Sequence, residues 1–221
     1  MSVLDATLIV IAKEPVPGRV KTRLTPPFTP QQAAALAEAS LTDTLHAVAA
    51  TPARRRVLAL DGSPGRWLPD APDGGFEVIP QRGGGLDERL AAAFDDAYDG
   101  SPCVLIGMDT PQVTPSLLAE AAAPLVAGEA DAVFGPATDG GFWLLGLRAP
   151  DPALLLGVPM SVAETGARQL ERLAGLRVAM MQELTDVDTF DEAERLAAST
   201  PGSRFAEAYY ATGPTTVTSV P

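Results

Sequence analysis

Short apolar runs alternate with longer amphipathic stretches along almost the whole chain. The runs are "TLIVIA" from Thr7, "RRVLALD" from Arg55, "FEVIP" from Phe76, "PCVLIG" from Pro102, "DAVFGP" from Asp131, "FWLLGL" from Phe142 and "LRVAMM" from Leu176. Runs this short suit strands covered on both faces, whereas the stretches 30–50, 87–98, 115–127, 161–174 and 190–198 carry the apolar spacing of helices. The alternation predicts βαβ units, and hence an α/β domain with a mostly parallel sheet and helices on both faces. Local chemistry marks several helix starts: Thr29 before Pro30, Thr114 before Pro115, Ser161 with Glu164 three residues on, and Thr189 with Glu192. The expected organisation is one domain over 1–200 and a C-terminal segment over 201–221, whose polar tail "TGPTTVTSVP" is expected to be disordered.

Composition narrows the setting. With 46% hydrophobic and 20% charged residues, the chain reads as a soluble globular protein. No apolar run approaches the ~20 residues that span a bilayer, and the first run is too short for a signal-peptide core. The expectation is a cytoplasmic protein with no membrane partner. A net charge of −12 argues against a nucleic-acid partner, which needs a basic stripe. The single cysteine, Cys103, rules out an intramolecular disulfide and reads as a small buried hydrophobe. His46, the only histidine, lies in an alanine-rich helical stretch and reads as structural, which weakens mechanisms built on a histidine base or a Ser-His-Asp triad.

Against that acidic background one segment stands out. "AKEPVPGRVKTRL", from Ala12 just after the first apolar run, packs Lys13, Arg19, Lys21 and Arg23 into a window where the overall frequency allows roughly one basic residue. Lys13 and Lys21 are the only lysines of the chain; the other 14 basic residues are arginine. A solvated loop would also tolerate such a cluster. In an open α/β sheet, however, loops after strands line the ligand-binding edge, and ammonium and guanidinium groups there suit phosphate.

Two acidic stretches are expected at the same edge. "VLIGMDTPQVTP" places Asp109 in a turn at the end of an apolar run, and "LTDVDTFDEAERL" places Asp186 and Asp188 just before a helix. Turn and N-cap roles explain either alone. Convergence of Asp109 and Asp188, with Asp186 in reserve, would create an oxygen site for Mg²⁺ or Mn²⁺ that also wants phosphate oxygens. "PQRGGGLDERL" is either a mobile linker or a place where a backbone, at Gly84 and Gly85, approaches a base or ribose. In "GPATDGGFWLLGL", Asp139, Gly140 and Gly141 form either a plain turn or a loop that lets an acceptor come close, with Asp139 orienting it. The P-loop, dinucleotide and nucleophile-elbow motifs are absent.

Taken in order, "AKEPVPGRVKTRL", "IGMDTP", "TDGGFWLLGL" and "LTDVDT" make the chain resemble the glycosyltransferase-A-like transferases related to 2-phospho-lactate guanylyltransferase and, more distantly, molybdenum-cofactor guanylyltransferase. The resemblance covers about the first 195 residues. It implies the nucleotide-diphospho-sugar transferase fold and a nucleotide-phosphate contact role for Lys13, Pro15, Gly18, Arg19, Lys21, Thr22 and Arg23. It also places Asp109 and Asp188 on the family's metal positions, and Asp139, Gly140 and Gly141 on its acceptor-side loop. The chain departs from its relatives at Met160, where they often carry tryptophan.

The expected activity is Mg²⁺-dependent nucleotidyl transfer from a nucleoside triphosphate to a small phosphorylated or hydroxyl acceptor, with release of pyrophosphate. Lys21, Arg23 and Asp139 are the expected catalytic groups. Four loop cations suit three phosphates better than two. The alternatives are glycosyl transfer from a nucleotide sugar and a nucleotide-binding protein without turnover.

Overall fold

A computed structural model describes residues 3–69 and 75–213. Seven strands form one sheet in the order β3-β2-β1-β4-β6-β5-β7. They are β1 (Leu4–Lys13), β2 (Ala53–Asp61), β3 (Glu77–Pro80), β4 (Cys103–Ile106), β5 (Ala132–Pro136), β6 (Phe142–Leu147) and β7 (Val178–Met180). β6 runs antiparallel between β4 and β5, and the other neighbours pair in parallel, so the expected mostly parallel sheet is present.

Successive residues of β1 point to opposite faces and enter different cores. Leu8 and Val10 pack with α1 (Pro30–Ala50) and α3 (Pro115–Val126), while Ile9 packs with α2 (Leu86–Ala97) and the end of α4 (Thr165–Arg172). This two-face burial is why the strands read as unbroken apolar runs. A third cluster joins α1 to α5 (Phe190–Ser199) and α6 (Arg204–Thr212) through Leu36, Ala193, Phe205 and Tyr209. No helix among the described residues is long and apolar enough to cross a membrane.

Three of the four marked helix starts form as expected. Thr29 and Thr189 close capping boxes with Gln32 and Glu192, and the Thr114 side chain accepts from the Leu117 N–H. The fourth does not: Ser161 has a left-handed φ of 60°, and the helix begins only at Thr165. The Thr165 hydroxyl accepts from Val162 N–H and donates to the Pro159 carbonyl, closing a turn where the sequence suggested helix. α6 lies inside the expected C-terminal segment and was not foreseen; the tail from 214 onward falls outside the described residues.

The strand ends settle where the loops meet. The C-terminal ends of β1, β2, β3 and β4 and the N-terminal end of antiparallel β6 share one edge, because Ile106 pairs with Leu144 and Phe142 lies beyond it. The stretches around Lys21, Asp109, Asp139 and Asp188 therefore meet there.

Candidate active site

The loop after β1 is shaped by its own backbone chemistry. Glu14 N–H donates to the Asp61 carbonyl, Arg19 N–H to that of Val16, and Gly18 takes φ 78°, the left-handed turn that glycine adopts at no steric cost. Lys21, although not glycine, adopts φ 48° and ψ 39° at the start of a 3-10 turn over Thr22–Leu24. Leu24 and Phe28 then anchor the loop in the cluster of α1, α5 and α6. Between these anchors the Lys21 side chain turns inward, and only 6% of it is exposed.

The buried ammonium meets carboxylates from two distant parts of the chain. Lys21 Nζ lies 2.8 Å from Asp109 Oδ1 and 3.1 Å from Asp188 Oδ1, and Arg23 Nη1 donates to Asp188 Oδ2 at 2.9 Å. Burial works against the charge on Lys21, yet Asp109 and Asp188 more than offset it and hold the ammonium above its ordinary value. Asp186 experiences the opposite balance. Its desolvation and the nearby Asp109 charge push its carboxyl up to about 8 despite Lys21. Backbone bonds fix this arrangement: Val187 N–H donates to the Asp109 carbonyl at 2.9 Å, and the buried Ser40 hydroxyl to the Met108 carbonyl at 2.8 Å.

These residues line a cleft of about 660 Å³, ample for a nucleotide-sized ligand. Lys13, Arg19, Lys21, Thr22 and Arg23 are on its wall, as are Asp109, Asp139, Gly141, Asp186 and Asp188. Pro15, Gly18, Gly84, Gly85 and Gly140 are not. Pro15 and Gly18 turn the backbone behind the cations. Gly84 is folded onto α2: its N–H donates to Glu88 Oε2 and its carbonyl accepts from Arg89, while Gly85 is the N-cap. The triglycine is thus a helix entry rather than a linker. Gln81, Arg89 and Ser161 also line the cleft, although the sequence marked none of them as a site residue. Gln81 donates to the carbonyls of Ala12 and Ala59, a tertiary role with no local signal. His46 is exposed on α1, Nδ1 2.7 Å from the Thr42 carbonyl, and does not line the cleft; Cys103 is a free buried thiol, pushed up to about 12 by burial.

Gly140 works through close approach. Asp139 Oδ1 accepts from Gly141 N–H, Gly166 N–H donates to the Gly140 carbonyl at 2.8 Å, and a Cβ on Gly140 would lie 2.0 Å from the Ala163 carbonyl oxygen. Gly140→Ala, at φ 87°, is therefore expected to destabilise the fold by about 2–4 kcal/mol in urea unfolding, from left-handed strain and overpacking. Separation of the 137–141 loop from the 160–166 segment would show as faster amide exchange at Gly166.

The donor set also bears on a metal ion. Among the described residues no group of three or more His, Cys, Asp or Glu is arranged to hold one. Asp109 Oδ1 is nevertheless buried, with the Lys21 ammonium against it as its charged neighbour. It faces the same cation as Asp188 Oδ1. Two hard carboxylate oxygens converging on one positive charge suit Mg²⁺ or Mn²⁺ completed by phosphate oxygens. Lys21 contacts the oxygens that would ligate such an ion.

A family profile for uncharacterised proteins conserved in bacteria, DUF2064, matches residues 44–162. The chain belongs to this family. Comparison with curated proteins finds no match. Among solved structures, the chain of this DUF2064 protein is similar to a candidate nucleotide-diphospho-sugar transferase from Desulfovibrio desulfuricans G20, with TM-score 0.76 and 29% identity over 90% of this chain and 89% of that one. CMP:2-keto-3-deoxy-manno-octonic acid synthetase complexed with CTP shares the fold at TM-score 0.54 and 13% identity, over 88% of this chain and 98% of that one. So does Rv0371C of Mycobacterium tuberculosis H37Rv in complex with manganese, at TM-score 0.52 and 20% identity, over 89% and 100%. The expected glycosyltransferase-A-like fold is thereby shown.

Proposed function

We propose that this DUF2064 protein is a divalent-metal-dependent transferase that moves a nucleotidyl group from a nucleoside triphosphate to a small acceptor. The observation that carries this reading is the meeting of the only lysine-bearing loop with Asp109 and Asp188 at one sheet edge. Lys13 and Arg19 lie on the cleft wall exposed, and neither makes an ion pair among the described residues. Both are open to phosphate. Arg23 has one guanidinium nitrogen on Asp188 and, at 69% side-chain exposure, others open to solvent.

Asp109 and Asp188 would hold the Mg²⁺ or Mn²⁺ ion, which when bound neutralises phosphate charge. The loop cations embrace the phosphate chain and lower the charge that repels an incoming oxygen. The acceptor oxygen then attacks the α-phosphorus, the bond from that phosphorus to its bridging oxygen breaks, and pyrophosphate leaves against Lys13, Arg19 and Arg23. The acceptor proton passes to the Asp139 carboxylate, whose Oδ1 is oriented by Gly141 N–H. Such chemistry rests on positioning and charge stabilisation and requires no histidine. The manganese complex of the fold relative supports the metal, and the CTP complex the triphosphate.

Glycosyl transfer from a nucleotide sugar is the second reading, favoured by likeness to the candidate nucleotide-diphospho-sugar transferase. The same residues would then hold a diphosphate leaving group. Thermal denaturation with Mg²⁺ and a panel of nucleotides separates the two. One nucleoside triphosphate is expected to raise Tm more than its diphosphate sugars do; a rise with nucleotide sugars alone would sink nucleotidyl transfer.

A further inference from the structure

The two walls of the cleft differ in chemistry. The cation-bearing loop comes from the α1 side of the sheet, where Val20 and Leu24 anchor it. The opposite wall comes from the α2 side and is apolar: Leu86, Leu90, Phe142, Met160 and Val162 line it. Of these, Leu90, Phe142 and Met160 belong to the α2-side core, whereas Leu86 and Val162 are 41% and 45% exposed. Large hydrophobic side chains left open inside a polar cleft point to a ligand with apolar surface of its own.

That wall carries a single cation, already engaged. Its one basic residue, Arg89, directs Nε and Nη2 to the Gly84 carbonyl and has Nη1 3.7 Å from Asp61. The polar groups it does present are the Asp139 carboxylate, with Oδ2 unengaged, and the Ser161 hydroxyl, which makes no hydrogen bond among the described residues. Ser161, with its left-handed backbone, lines the cleft together with Met160 and Val162.

We infer that the acceptor is a neutral, hydroxyl-bearing molecule with an apolar body, seated on Leu86, Phe142, Met160 and Val162 with its hydroxyl toward Asp139 and Ser161. This rests on the donor assignment above and removes the phosphorylated half of the acceptor expectation. A phosphate monoester on this wall would face the Asp139 carboxylate with only Arg89, already turned to Gly84 and Asp61, as its cation, since the loop cations lie across the cleft with the donor phosphates. A neutral hydroxyl can donate to Asp139, and an alkyl or ring surface covers the open hydrophobes.

Ligand-observed NMR on the full chain, with and without Mg²⁺ and the stabilising triphosphate, tests this with three probes: n-octyl β-D-glucoside below its micelle concentration, methyl β-D-glucoside and glucose 6-phosphate. The octyl glucoside is expected to bind at least about tenfold more tightly than the methyl glucoside, with glucose 6-phosphate weaker than both. Val162→Lys, at an exposed position, should weaken octyl glucoside about tenfold and improve glucose 6-phosphate. Equal or tighter binding of glucose 6-phosphate by the unmodified chain, or octyl glucoside binding indifferent to Val162→Lys, would overturn the inference. The donor reading fails separately, if no triphosphate shifts Tm while the order of the three probes stands.

Discussion

Lys21→Met is expected to abolish the rise in Tm produced by Mg²⁺ and nucleoside triphosphate, and to lower turnover by about 10²–10³-fold, the scale set by loss of one preorganised electrostatic stabiliser. The same substitution should destabilise the protein without ligand. Methionine keeps most of the length of the side chain but leaves Asp109 and Asp188 facing each other without their shared ammonium. Removing one partner of a fully buried pair costs about 3–5 kcal/mol. Here the carboxylates are 37% and 33% exposed and water screens them, so about 1–2 kcal/mol is expected. Lys21→Arg is the informative control: it restores the charge, but a planar fork cannot place one point charge between both Oδ1 atoms. Stability without ligand should return in part while turnover stays low. A Lys21→Met protein with unchanged triphosphate stabilisation would remove the cation loop from the mechanism.

Phe28→Ala is expected to give the largest loss of stability, about 3–5 kcal/mol and hence a fall in Tm on the order of 10 °C. The ring is 1% exposed and packs 5.8 Å from both Phe190 and Tyr209, edge-on to the latter. Leu24, Phe28 and Val187 belong to one cluster, so the cavity opens beneath both the cations and Asp188. Triphosphate affinity should therefore fall along with stability. Phe94→Ala, equally buried but in the α2-side core, supplies the comparison. It should lower Tm similarly while leaving triphosphate binding much closer to that of the unmodified chain, as measured by calorimetry.

What could be read from the sequence follows where the physics is local. Apolar runs such as "TLIVIA" announce strands because their burial on both faces erases alternation, and Thr29 and Thr189 announce helices because a capping box needs only four residues. The loops expected at the ligand edge meet there because strand direction alone puts them at that end. Ser161 misled because its spacing to Glu164 imitates a cap, whereas the neighbouring Gly140 and Gly166 contact pulls the segment into a left-handed turn. α6 does carry a signal, Ser203 followed by Phe205 and Tyr209 four apart, but a nine-residue helix is decided by the surface waiting for it on α1 and α5. The ammonium of Lys21 between Asp109 and Asp188 had no sequence signature, since the pairing spans 88 and 167 positions. Arg89 and Gln81 likewise enter the cleft through contacts that no local pattern encodes.

The cluster that carries the cation loop has a consequence for the order in which the protein becomes competent. Lys21 and Phe28 leave the ribosome well before Val187, Phe205 and Tyr209. Until they do, the loop lacks its anchor and its aspartate partner at 188, even if β1 has already paired with β2. A growing chain that has not yet reached these residues thus lacks a working phosphate clamp, and ligand could reward only chains that include them.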